Sequence, residues 1–171
     1  MQARILILLI LSMATLLPHS GRGQSAEAYR DIRSDINDQA KSGKWQEIRH
    51  KATGAGGSQI SCLAYVEAYV IQKLVYVDST DDDNETISLY FWQDGVLVSV
   101  YRLYKGTHTE THDLTEAEEI FNFDGPKLVG WYRTQDGWNS PSDTFFQQTG
   151  ESVQREAIER SQPIYDKIQA D

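Results

Sequence analysis

Apolar residues recur at three- and four-residue intervals near both ends of the chain and at every second position through its middle. The first interval belongs to helices with one buried stripe and the second to half-buried strands, so the pattern predicts an α+β domain. Tyr29, Ile32, Ile36 and Ala40 form one stripe, opened by Ser25 as a cap and interrupted by Ser42-Gly43. Trp45 and Ile48 continue the spacing, which predicts a helical arm over 24–52. Thr53 to Ser58, TGAGGS, is a connector, because it has the glycines of a phosphate loop and lacks the Gly-Lys-Ser/Thr that completes one. A final stripe of Val153, Ala157, Ile158, Ile164, Tyr165 and Ile168 predicts a helix over 151–170, kinked or restarted at Pro163. Residues 135–150 read as a long aromatic-containing loop.

Between these regions, 59–134 alternates. Its clearest stretch is Ile87 to Tyr104, ISLYFWQDGVLVSVYRLY, where Asp94-Gly95 is a pair that type I′ hairpin turns prefer. Strict pairing outward from that turn sets Trp92 against Leu97, Phe91 against Val98 and Tyr90 against Ser99. One face then collects Ile87, Leu89, Phe91, Val98 and Val100, and the other Ser88, Tyr90, Trp92, Leu97, Ser99, Tyr101 and Leu103. The unit repeats when Leu74-Val75, Leu97-Val98 and Leu128-Val129 are superposed, with Tyr69, Trp92 and Phe123 five positions earlier and copies 23 and 31 residues apart. ISCLAYVEAYV and KLVYVDST join around Ile71-Gln72, and EIFNFDGPKLVGWYR turns at Asp124-Gly125-Pro126-Lys127. Thr115 and Glu118, in capping-box register, predict a short helical turn before this last hairpin. Three hairpins predict a meander of about six antiparallel strands, with the N-terminal and C-terminal helices packed on it. Superposition places Tyr90, Trp92, Tyr101, Phe121, Phe123 and Tyr132 on one face, an amphipathic aromatic surface of the kind that binds ligands and partners.

Aromatic-x-aromatic-Asp-Gly-x-Lys-Leu is read as Phe121-Asn122-Phe123-Asp124-Gly125-Pro126-Lys127-Leu128, and more loosely as Tyr90 to Leu97. Over Ile60 to Thr134 this resembles the repeated β-hairpins of small uncharacterised secreted bacterial proteins. The first copy departs from the motif, having Ile71-Gln72-Lys73 and no Gly. The resemblance implies a fold and a compartment; that family has no assigned activity to carry over.

The N-terminus supports the same compartment. Arg4, the apolar run Ile5 to Leu17 and the small residues up to Gly23 have the layout of a signal peptide, and Pro18 ends the run well short of the roughly 20 residues a membrane span needs. Cleavage after 1–23 would leave 148 of 171 residues, enough for one domain with its own core. It would remove Arg4, Arg22 and no acid, deepening the formal charge from −9 to −11. An acidic chain with no basic stripe is unsuited to nucleic acid or anionic membrane, and a cationic protein or peptide is the expected kind of partner. The expected location is periplasmic or extracellular, with no membrane anchor after cleavage. Cys62 is the single cysteine, so no intrachain disulfide can form, and its apolar neighbours predict a buried thiol.

Candidate chemistry is sparse. His108 and His112, with Asp113, are the densest set of potential metal ligands, in HTETHD. Their spacing faces one way only on a helix, and the threonines around them favour a loop. No Gly-x-Ser-x-Gly elbow, His-Glu-x-x-His pair or cofactor fingerprint is present, and DSTDDDNE lacks the alternating ligands and central Gly of a calcium loop. The reading is a non-enzymatic exported binding domain that requires no cofactor and uses its aromatic sheet face for a protein, peptide or apolar ligand. The alternatives are a metal-binding protein or metal-dependent enzyme using His108, His112 and Asp113, and a self-associating structural module.

Overall fold

The computed structural model describes residues 25–81, 84–107, 114–142 and 144–170. The expected signal segment, together with His108, His112 and Asp113, lies outside them. Eight antiparallel strands follow one another in sequence order across a single sheet. They are β1 (Gln46–Thr53), β2 (Gln59–Glu67), β3 (Val70–Asp81), β4 (Asn84–Gln93), β5 (Val96–Thr107), β6 (Leu114–Asp124), β7 (Lys127–Arg133) and β8 (Gly137–Trp138). Helix α1 (Ala26–Lys41) and helix α2 (Thr144–Ala170) pack on it. The α+β meander with terminal helices is as expected, with eight strands rather than about six.

Three departures have local causes. Trp45 and Ile48 were expected on a helix, yet β1 begins at Gln46 and pairs with β2 along its whole length. A three-residue spacing marks one face of a helix but opposite faces of a strand. Accordingly Trp45 joins the core under α1 and Ile48 the core under α2. Thr115 and Glu118 lie in β6 rather than in a helical turn, because β5 pairs with that strand from Leu114 to Asn122. Within 135–150, β8 occupies two residues and α2 starts at Thr144, burying Phe146 and Gly150 against the sheet. The helix then continues through Pro163.

The hairpins carry a device that strict alternation hides. Register shifts fall between Tyr65 and Val66, Phe91 and Trp92, and Asn122 and Phe123. Phe91 therefore pairs with Ser99 rather than Val98, and Tyr90 with Val100. One extra residue in the returning strand reverses the parity of everything after it. Inward positions repeat as Ala64, Val66, Ile71, Leu74, then Tyr90, Trp92, Leu97, Val100, then Phe121, Phe123, Leu128, Trp131, all in the core under α2. The first turn is thus Ala68-Tyr69, not Ile71-Gln72, and the repeat aligns Ile71, rather than Leu74, with Leu97 and Leu128. Ala68 (φ 48°) and Tyr69 (φ 67°) hold left-handed backbone without glycine, which costs roughly 1–2 kcal/mol per residue. Since the Tyr69 side chain is 77 % exposed, Tyr69→Gly is expected to stabilise the chain by about 1 kcal/mol, read as a higher urea midpoint at unchanged slope.

Each helix has its own face. Ser25 caps α1 by accepting from the Ala28 amide (3.2 Å), and the helix buries Tyr29, Ile36 and Ala40. Its core includes Trp45 and Phe91, with Ile32, Tyr65, Leu89, Val98 and Tyr101 packed against it. Tyr29 donates to the Phe123 carbonyl (3.0 Å) and Arg33 to Ser99 and Asn122 (3.0 and 3.1 Å). On the other face α2 crosses the strands from Leu128, where the Gln147 amide meets the carbonyl, to Arg49, whose carbonyl accepts from Lys167. Among the described residues no helix is long and apolar enough to cross a membrane.

Candidate functional site

Register turns the α2 face into parallel rows. Ile48, Ala64, Leu74, Tyr90, Val100, Phe121 and Trp131 line up across seven strands. These residues are buried beneath the helix. Two residues along each strand lies a polar row of His50, Cys62, Tyr76, Ser88, Arg102, Glu119 and Arg133. The helix meets this row with Glu156 and Arg160, four residues apart and hence on one side of it.

Glu156 is the centre of the contact. It accepts from Arg102 (2.7 Å) and from the Tyr90 hydroxyl, and pairs with Arg160 (2.9 Å). Arg160 in turn donates to Tyr90 (2.7 Å) and Ser88 (3.0 Å) and stacks over the Tyr76 ring at 4.0 Å. Arg102 lies over Phe121 at 5.2 Å and near Glu119 at 3.9 Å, while Tyr104 donates to Glu119 (2.7 Å). Burial works against the Arg102 charge, and Glu156, Tyr90 and Tyr104 together more than offset it, so the guanidinium is held more firmly protonated than usual. Desolvation, followed by Glu156, pushes the Tyr90 hydroxyl up. Two arginines against two glutamates leave the cluster neutral, with its hydrogen bonds spent internally. Its chemistry is to fasten α2.

A cleft of about 360 Å³ opens beside it, lined by His50, Cys62, Tyr76, Glu159 and Arg160 among others. His50 and Cys62 are cross-strand partners. Cys62 is nevertheless 5 % exposed, and burial pushes its thiol up with Arg160 only partly opposing. A nucleophilic cysteine needs the opposite shift. Among the described residues no group of three His, Cys, Asp or Glu side chains could hold a metal ion. A second cleft, about 440 Å³, runs between α2 and the hairpin turns; Trp92, Val96, Leu97, Pro126, Ile158 and Tyr165 line it.

The six aromatic residues expected on one face separate. Tyr90, Trp92, Phe121 and Phe123 lie beneath α2, with Trp92 alone also edging the second cleft. After the bulges Tyr101 and Tyr132 fall on the α1 face, and Val100 and Trp131 take their places. There Leu63, Val75, Leu89, Tyr101, Ile120, Tyr132 and Trp138 form a row in register from β2 to β8. Of this row, Leu89 and Tyr101 pack against the core under α1. The other five stay partly or fully exposed, Trp138 at 53 %, its ring 5.6 Å from Tyr132. Desolvation and the bond donated to Glu118 (2.7 Å) push the Tyr101 hydroxyl up to about 12. Ile120 and Trp138 carried no signal as site residues, since β8 is only two residues long and the parity of β6 and β7 depends on a bulge.

Sheet, helices and open row together define a small α+β domain with two helix-covered cores and one partly bare sheet face. Comparison of the chain with protein-family models, curated proteins and solved structures returns no match.

Proposed function

We propose that the chain is an exported, non-catalytic binding domain that takes a protein or peptide partner on the bare part of the α1 face. One observation carries this reading: Tyr101, Ile120, Tyr132 and Trp138 stand in register across four strands and none is fully buried. An antiparallel sheet ordinarily wets one face with polar residues, whereas this face keeps aromatic and branched apolar side chains beyond the reach of its helix. Tyr and Trp are the side chains that concentrate at interface centres. The formal charge of −9 favours a basic partner, attracted over distance and released by salt.

The test compares the wild-type domain with Tyr132→Ser/Trp138→Ser as immobilised baits for the exported proteins of the source cell, after circular dichroism shows both folded. The expected result is a partner held by the wild type at low salt and lost by the double variant. Equal retention by both, or by neither, overturns the proposal. A concentration-dependent dimer abolished by the same two changes would instead make the face a self-association surface.

A further inference from the structure

On the α2 face, one row beyond His50 to Arg133, the strands carry Ala52, Ile60, Asp78, Thr86, Tyr104 and Ala117 in register. Between β3 and β6 this part of the sheet holds an open trough of about 460 Å³, within the roughly 300–1,000 Å³ of small-molecule sites. Asp78, Thr80, Thr86, Tyr104 and Thr115 line it. From these residues we infer that the trough is a binding site for an alkylammonium group, as presented by a polyamine or a lysine side chain, with the Asp78 carboxylate as counter-ion.

The argument is one of donors and acceptors. Thr80 donates its hydroxyl hydrogen to the Asn84 carbonyl (3.5 Å), Thr115 to the Gly106 carbonyl (3.1 Å) and Tyr104 to Glu119 (2.7 Å). Each hydroxyl has thereby spent its only donor and offers lone pairs. Asp78 can only accept, its Oδ1 is sealed from solvent without a hydrogen-bond partner, and no ion pair among the described residues reaches it. The carboxylate as a whole is only partly buried, so a ligand carrying N–H donors can meet it from the trough and supply the missing match. Glu85, Lys105 and Glu116 border the trough through neighbouring backbone, while alternation turns their side chains to the other face, so Asp78 is the charge that faces a ligand there. An ammonium supplies three donors, and the partly exposed Tyr104 ring gives it a face to rest on. A metal ion is a poorer match, since the lining is chiefly hydroxyl and no three candidate ligand side chains converge among the described residues.

The trough is on the opposite face from the proposed partner surface, so either can fail alone. Calorimetry on the whole domain would use spermidine for a free polyamine and Nα-acetyl-lysine amide for a lysine side chain, with the Nα,Nε-diacetyl compound as neutral control. Saturable binding of one or both amines is expected, none of the control, and at least about tenfold weaker binding in Asp78→Asn. Should Asp78→Asn fail to fold, Thr86→Val removes one acceptor and is expected to weaken binding severalfold. Absence of saturation at millimolar amine, equal binding of the diacetyl control, or affinity unchanged by the substitutions would overturn the inference. Whichever amine binds tighter identifies the source.

Discussion

Glu156→Ala is expected to destabilise the chain by about 3 kcal/mol, because it leaves Arg102 and Arg160 at the helix–sheet contact without their shared carboxylate. Their side chains are 12 % and 22 % exposed and that of Glu156 is 27 % exposed, too enclosed for water to replace the carboxylate fully. Tyr90, which is fully buried, would lose the acceptor of its hydroxyl hydrogen as well. Urea unfolding of Glu156→Ala, Arg102→Met and the double variant measures the coupling. The double variant should lose less than the two single losses together, since removing both charges eliminates the unpaired ion that makes the single change costly. Additive losses would mean that Arg102 and Glu156 act independently, and the account of the cluster as one clamp would be wrong.

Gly150→Val carries the second large effect, also about 3 kcal/mol, and Gly150→Ala a smaller loss. A Cβ at this position would stand 2.6 Å from Leu128 Cβ and 3.4 Å from its Cδ2, so α2 approaches β7 to a distance only glycine permits. The sign of the alanine variant is the sharper test. In an exposed helix that substitution stabilises by about 1 kcal/mol, so a lower melting temperature shows the close approach and a higher one refutes it. The valine variant should also weaken burial of Phe146, one turn earlier on the helix, seen as faster hydrogen exchange in the first part of α2.

Much of the fold was legible because its signals are local. Ser25, the stripe from Tyr29 to Ala40 and the Asp94-Gly95 turn each act within a few residues and are found in place, whereas the alternation expected around that turn holds only as far as the pair Trp92 and Leu97. The first hairpin was misplaced by three residues because Ala68-Tyr69 turns with positive φ and none of the residues that advertise it. β1 was taken for helix because Trp45 and Ile48 fit either period until a neighbouring strand selects one. Of the six aromatic residues singled out, Tyr132 lies on the bare part of the α1 face, Tyr101 packs against the core under α1, and the other four are core beneath α2.

The amino-acid sequence by itself determined the class of the domain, its acidity, its lack of disulfides and the repeated hairpin, all properties of composition and short-range pattern. Only the tertiary structure decided which face each strand residue occupies. The reason lies in the bulges at three equivalent places: one unpaired residue per hairpin reverses the alternation that follows, and its cost is met by packing against helices far away in the chain. The same long-range packing decided that α2 covers Tyr90 and Phe121 while Tyr132 stays partly exposed and Trp138 exposed.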